Sequence, residues 1–196
     1  KVLGSENSVS DWTLTDNDYS FYVDNAQGTG TGENGLSRSA AALALEILNK
    51  NDSNIDFTEF DGNNDNVVDV VILIVEGWVN GDNDQFWPHM SIISPDISEN
   101  YDSNNNGYAD FDNIDVVKYI VISEKYFYDN AGVQKGDIHP IGTICHELGH
   151  VLGLPDLYDT SSNGAAGIGD WGLMGSGNYS SQYSPAYFNA WSRYRL

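Results

Sequence analysis

The stretch His146-Glu147-Leu148-Gly149-His150-Val151-Leu152-Gly153-Leu154-Pro155-Asp156-Leu157-Tyr158-Asp159 decides how this chain is read. On a helix, His146 and His150 project from one face a turn apart, close enough for both imidazoles to reach one tetrahedral metal ion. Glu147 sits about 100° round the same helix, where a carboxylate can take a proton from a metal-bound water. Ile141, Ile144, Cys145, Leu148, Val151 and Leu152 fall on the opposite side. The helix, expected over 137–153, should therefore bury that face and offer its ligands from the other. Gly153 can take a positive φ and Pro155 cannot continue a helix, so the chain turns sharply after His150. That turn returns Asp156 toward the metal. The pattern HExxHxxGxxD then supplies three protein ligands and leaves a fourth position for water, the arrangement of a catalytic zinc. Asp159 is the competing third ligand.

Outward from this stretch, 29 acidic against 8 basic residues give the chain a formal net charge of −21. Such a surface repels nucleic acid and anionic membranes, which excludes both as partners of choice. The acid is mostly Asp interleaved with Asn and Gly, a composition of oxygen-rich cation loops rather than of a disordered tail. In Asp61-Gly62-Asn63-Asn64-Asp65-Asn66-Val67-Val68-Asp69, side-chain oxygens recur at every second position. Asp61, Asn63, Asp65 and Asp69, with the Val67 carbonyl, can surround a calcium ion while Asn66 takes the left-handed turn. Asp102, Asn104, Asn106, Tyr108 and Asp110 repeat the spacing with Gly107 at the turn and less charge, so calcium should bind more weakly there. A solvated turn is the competing reading of each loop. No Glu stands at the twelfth position of the first loop, so a helix-loop-helix EF-hand is not expected.

The rest of the chain supplies the frame. Tyr19 to Val23 alternates like an edge strand, and 27–35 reads as an exposed loop. A helix is expected from Ser37, as N-cap, to Lys50, with Leu36, Ala40, Leu43, Ala44, Ile47 and Leu48 on its apolar face. Val67 to Val75 is almost wholly β-branched, as in a strand buried on both faces. An acidic loop follows over 76–85, and His89, beside Trp87, reads as a packing or hydrogen-bonding residue, with a role in the site as the alternative. Val116 to Ser123 is a strand interrupted by Lys118 and Tyr119, as suits a sheet edge to which an extended peptide could add. After a Gly/Ser loop at 160–169, Met174 lies in a Gly-punctuated turn that matches the one beneath the zinc in metzincin-type peptidases. A last helix over 185–196 should pack Tyr187, Phe188, Trp191 and Tyr194. The single cysteine, Cys145, allows no internal disulfide and reads as a packing residue. No run approaches the roughly 20 apolar residues of a membrane span. No signal peptide is visible at Lys1, and the composition suits a mature or trimmed piece of an exported bacterial protein.

The chain resembles the immune inhibitor A family of secreted bacterial zinc metallopeptidases. The resemblance is carried by IGTICHELGHVLGLPDLYD at 141–159, WGLMGSGNY at 171–179 and SPAYFNAWSRYRL at 184–196, and more weakly by FDGNNDNVVDVVILIVEG at 60–77 followed by FWPH at 86–89. It implies an α/β (α+β) metzincin-like catalytic domain, a twisted sheet with backing and active-site helices above an irregular lower lobe. It further implies a single domain over 1–196, its upper lobe (about 1–153) and lower lobe (about 154–196) joined at Gly153. By the same resemblance zinc is held by His146, His150 and Asp156, Glu147 is general base and acid, and Met174 sits in the supporting turn. The strand that usually opens such a domain has no counterpart upstream of Asp11. The expected activity is that of a secreted, monomeric zinc endopeptidase acting on extended peptides, with Tyr179 or Tyr183 steadying the oxyanion. The competing readings are a calcium-ordered binding or adhesion module with a non-catalytic metal site, and a zinc hydrolase of non-peptide amides or esters.

Overall fold

A computed structural model describes residues 12–79, 83–126, 136–161, 164–181 and 183–196. Its regular elements are α1 (Tyr19–Val23), α2 (Ala40–Asn51), β1 (Val71–Val79), β2 (His89–Ile92), α3 (Pro95–Ser98), β3 (Ala109–Phe111), β4 (Ile114–Val116), β5 (Lys118–Tyr126), α4 (Ile141–Val151) and α5 (Ala190–Arg195), joined by short 3-10 turns. One sheet has the strand order β1-β5-β2, and β3 and β4 form a separate pair. The class is therefore mixed α/β with small sheets and few helices, compatible with a peptidase domain. The chain divides into two units, one of Lys1–Leu73, Gly81–Trp87 and Ser91–Tyr119, the other of Ile74–Asn80, Pro88–Met90 and Ile120–Leu196. No helix among the described residues is long and apolar enough to cross a membrane.

The first unit is built on α2. Ser39, not Ser37, caps it, accepting from the Ala42 N–H, while Ser37 ends a preceding 3-10 turn. Its buried positions are Ala40, Ala41, Leu43, Ala44, Leu45 and Leu48, a run of helix formers that packs closely because half of it is alanine. Tyr19 to Val23 is helical rather than a strand. Neighbouring Tyr22 and Val23 are both buried, which no strand facing one core achieves, and Asp24 closes the turn at φ 50°. The Tyr19 hydroxyl accepts the Phe86 N–H at 2.9 Å and its ring meets Phe86 edge-on, so this turn anchors a distant loop of its own unit. The β3–β4 hairpin pairs Ala109 with Val116 and Phe111 with Ile114. Its two turn residues, Asp112 and Asn113, both take positive φ, the conformation that matches strand twist.

Three expectations about the sheet need correction. The strand expected at 67–75 runs from Val71 to Val79, and it is not buried on both faces: Leu73 and Val75 are buried whereas Ile74 is 52% exposed. Val67 instead makes an isolated parallel bridge to Asp115. The strand expected at 116–123 starts at Lys118 and is central, between β1 and β2, so it offers no edge for a peptide. The consecutive burial of Tyr119, Ile120, Val121, Ile122 and Ser123 fits that central place.

In the second unit, α4 begins after Pro140 and is shorter than the expected 137–153. Its buried residues are Gly142, Thr143, His146, Glu147 and Gly149, while Ile141 and Leu152 are 52% and 59% exposed. The helix thus buries the side carrying its polar residues, the reverse of the expected orientation. Small Gly149 lets Met174 and Phe188 approach on that side. The C-terminal helix is limited to Ala190–Arg195, and Tyr187 and Tyr194 are exposed rather than packed. Residues 1–11, within the stretch searched for an opening strand, lie outside the described residues, as do parts of the expected loops at 76–85 and 160–169.

Candidate metal centre

The end of α4 shapes the site. Gly153 donates its N–H to the His150 carbonyl at 2.8 Å and Leu154 donates to Gly149 at 3.0 Å, with Gly153 at φ 88°. This is the paired helix stop that a left-handed glycine permits. The reversal lays the Leu154 carbonyl against His150, whose Nδ1 donates to it at 2.8 Å. His146 Nδ1 donates in the same way to the Leu173 carbonyl, also at 2.8 Å. A carbonyl can only accept, so each ring carries its proton on Nδ1 and turns the Nε2 lone pair the other way.

Both lone pairs face one carboxylate. Asp156 Oδ1 lies 3.0 Å from His146 Nε2 and 3.3 Å from His150 Nε2. Two nitrogen lone pairs against a carboxylate oxygen repel unless a proton or a cation lies among them, so the donor set fits a divalent metal. Among the described residues, this trio is the cluster of His, Cys, Asp and Glu side chains whose ligand atoms lie within 4.8 Å of one another. Two imidazoles and one carboxylate are the donor types zinc takes in catalytic sites. In the metal-free protein a proton added to an Nε2 plays the cation's part: donated to Asp156, it outweighs the raising effect of burial and holds the carboxyl well below its usual range. Because that added proton would be received by Asp156, the pKa of His150 is raised.

Glu147 is 7% exposed and accepts the Met90 N–H at 2.7 Å through Oε2. Burial raises its pKa, against the lowering pull of His146 and His150. Met174, 1% exposed, lies against Gly149 of α4, and its carbonyl accepts the Leu157 N–H at 2.7 Å. The Met turn thereby holds both the backbone next to Asp156 and, through Leu173, the ring of His146.

Asp159 is placed differently from its rival. Its carboxylate accepts Ser161 N–H and Oγ–H and closes its own loop. Of the two tyrosines considered, Tyr183 is 51% exposed and its hydroxyl reaches Asp137, and Tyr179 is 40% exposed, so neither is singled out by burial. Tyr158 stacks on His146, ring centroids 6.3 Å apart and planes at 21°. The Leu154 and Leu173 carbonyls and the Met90 N–H escaped the sequence reading because backbone groups leave no trace in residue identity. Only the general rule that a ligating histidine donates its other nitrogen could have foretold that some carbonyls would be there.

The two oxygen-rich loops adopt one shared hydrogen-bond pattern. Asp61 accepts Asp65 N–H and Asn66 N–H, Asn63 accepts Asp65 N–H, and Asp65 accepts Val67 N–H. Asp102, Asn104 and Asn106 repeat every one of these bonds with Asn106, Gly107 and Tyr108 as donors. Asn66 takes φ 63° where Gly107 takes 95°. Asp69 is exposed, and Asp110 is engaged by Ser103. Asp115, which the sequence reading passed over, accepts the side-chain amides of Asn104 and Asn106.

Residues 3–195 match the model of the immune inhibitor A peptidase M6 catalytic domain. Over 56 residues the chain is 38% identical to the pre-pro-metalloprotease PrtV of Vibrio cholerae serotype O1, in strain M66-2 and in strain ATCC 39315 / El Tor Inaba N16961. Those residues are 26% of this chain and 6% of each relative, so the chain spans a small part of the relatives it matches.

Proposed function

Because the chain belongs to the immune inhibitor A family of M6 metallopeptidases, we propose that it is the catalytic domain of a secreted zinc endopeptidase. The observation that carries this reading is the pair of Nδ1-protonated histidines whose Nε2 atoms converge on Asp156, with Glu147 buried beside them. His146, His150 and Asp156 would hold the zinc, which, when bound, supplies Lewis-acid polarisation and lowers the pKa of a water. Glu147 takes the proton of the attacking water and delivers it to the leaving amine. The Met90 N–H keeps its carboxylate aimed while leaving Oε1 to do this. Tyr179 or Tyr183 steadies the oxyanion, and Met174 supports the turn. With β5 internal, an extended peptide pairs with β2 instead, since that strand carries Met90 next to the general base. A single catalytic domain over 1–196, hinged at Gly153, belongs to the same reading. So does calcium at the two oxygen-rich loops, for which the repeated hydrogen-bond pattern is the support.

The test is Glu147→Ala assayed on an unfolded protein such as casein, with and without a zinc-specific chelator. Cleavage should fall at least ~10²-fold in the variant, and the chelator should abolish what the parent does. A variant within tenfold of the parent removes Glu147 from the mechanism.

A further inference from the structure

All 29 acidic residues of the chain lie at or before Asp170, whereas residues 171–196 carry two arginines, Arg193 and Arg195, and no acid. The aromatic side chains of this last stretch stand in water. Trp171, Tyr187 and Tyr194 are 89%, 91% and 89% exposed and Trp191 47%, and within α5 only Ser192 is buried. They are neighbours. Gly172 lies against Asn189, the N-cap of α5, the Leu173 N–H donates to the Tyr187 carbonyl at 3.1 Å, and Trp191 and Tyr194 stand three positions apart on one side of the helix. Four such side chains leave on the order of 600 Å² of aromatic surface in water, the size at which an apolar patch marks an interaction site. The charge beside them is also unspent. Lys50 and Lys125 pair with carboxylates of the chain itself, whereas Arg193 and Arg195 make no ion pair among the described residues. Arg195 lies with Cζ 5.9 Å from the centre of the Trp191 ring.

We propose that Trp171, Tyr187, Trp191 and Tyr194, with Arg193 and Arg195, form a docking surface for an acidic, unfolded polypeptide substrate. The inference rests on the reading of the chain as a peptidase, because it takes the occupant to be a chain awaiting cleavage. Charge chooses that occupant. An acidic polypeptide is repelled by the Asp-rich remainder of the molecule, but at 0.1 M salt that repulsion is screened beyond about 10 Å, and the charge it meets at 171–196 is positive. Guanidinium groups pair with carboxylates through two parallel N–H bonds, and the exposed rings take up apolar side chains that an unfolded chain no longer buries. A folded acidic protein has few of these to offer. The surface belongs to the second unit and shares backbone with the metal centre: Leu173, which donates to Tyr187, accepts the His146 Nδ1 proton at 2.8 Å. A segment docked there is held on the framework that positions a metal ligand.

The probe is fluorescently labelled casein, acidic and unfolded, titrated with the whole chain carrying Glu147→Ala so that the probe is not consumed. Adding Trp171→Ser, Tyr187→Ser and Tyr194→Ser together should weaken binding at least ~10-fold. Adding Arg193→Gln and Arg195→Gln instead should weaken it at least ~3-fold at about 50 mM salt, an effect that shrinks at about 500 mM. Both sets should melt as the Glu147→Ala chain does, since the side chains replaced stand in water. Binding within twofold of that chain in either set at the lower salt overturns the docking surface. Cleavage of casein by the unaltered chain separates this inference from the reading beneath it. Casein cleaved, yet bound alike with and without the added substitutions, overturns the surface and leaves the peptidase. Casein left whole, with binding lost in both sets, overturns the peptidase and retains the surface.

Discussion

The trio of His146, His150 and Asp156 and the loop of Asp61 to Asp69 both offer metal-type donors at regular spacing, but they hold them in opposite ways. In the trio, backbone carbonyls take the Nδ1 protons, and the atoms left over are lone pairs that repel one another. In the loop, the carboxylate and amide oxygens accept the loop's own N–H groups, and the fold is complete with or without an ion. An unmet electrostatic demand marks a site that needs a cation. A satisfied turn marks one that can merely accept a cation. The spacing of residues alone does not separate these cases, because both arise from side chains set at short, fixed intervals.

This difference breaks first under paired substitutions. His150→Ala removes one of the three proposed zinc ligands and should cost about 10³-fold in zinc affinity, or roughly 4 kcal/mol. Asp65→Ala should leave zinc affinity within twofold and abolish any rise in melting temperature that calcium produces in the parent. Linkage sets the scale of that rise at about 2.7 kcal/mol when free calcium is a hundredfold above its dissociation constant. Competition with a chromophoric chelator and melts with and without calcium give both numbers. Parental zinc binding in His150→Ala, or equal zinc loss in Asp65→Ala, would erase the distinction.

What could be read from the sequence follows the same division. The ligand spacing, the glycine stop at Gly153 and the Met174 turn were legible because each is a local rule: helix pitch, left-handed φ and a punctuated turn. The face α4 buries was not, since its apolar stripe pointed one way while packing of Met174 and Phe188 against Gly149 took the other. The centrality of β5 was hidden for a related reason. Lys118 and Tyr119 look like an edge, yet a long polar side chain at a strand end can reach water while its backbone is paired on both sides. Tyr19 to Val23 failed because five alternating residues fit a strand and a short helix equally well.

His139 sharpens the comparison from within the same unit. It is 6% exposed, its Nδ1 meets Ser123 Oγ at 3.1 Å, and its Nε2 has no hydrogen-bond partner among the described residues. Ser123 gives its own proton to the Lys125 carbonyl, so the imidazole donates from Nδ1, as His146 and His150 do. Burial pulls its pKa down to about 4, against a small raising effect of Ser123. The folded state thus resists protonation that the unfolded chain accepts near pH 6.5. Stability is full above that value and falls as the pH drops toward 4, by about 2 kcal/mol between pH 7 and 5. Urea midpoints of zinc-free protein at the two pH values, in the parent and in His139→Gln, give the share due to this residue. An equal drop in both proteins would assign the acid sensitivity elsewhere.

The finest separation comes from Gly149→Ala. A methyl there would stand 2.3 Å from Met174 Sδ and 3.2 Å from Phe188 Cε1. The sulfur is the far end of a flexible side chain and can move, so overpacking costs on the order of 1 kcal/mol or somewhat more. Alanine in a helix interior returns up to about 1 kcal/mol relative to glycine. The two nearly cancel, and the melting temperature of the zinc-free protein should change little. Zinc affinity should not share that cancellation. Displacing Met174 moves the neighbouring Leu173 carbonyl, which holds the His146 proton on Nδ1, and the ring then loses the tautomer and tilt that aim Nε2. A several-fold loss of zinc affinity, about 1 kcal/mol, at unchanged stability would show that the Met turn acts on the ion through its backbone. Lost stability with unchanged zinc affinity would reduce the turn to packing. The oxygen-rich loop at Asp61 to Asp69 offers no such lever, because its carboxylate and amide oxygens accept N–H groups of the loop itself.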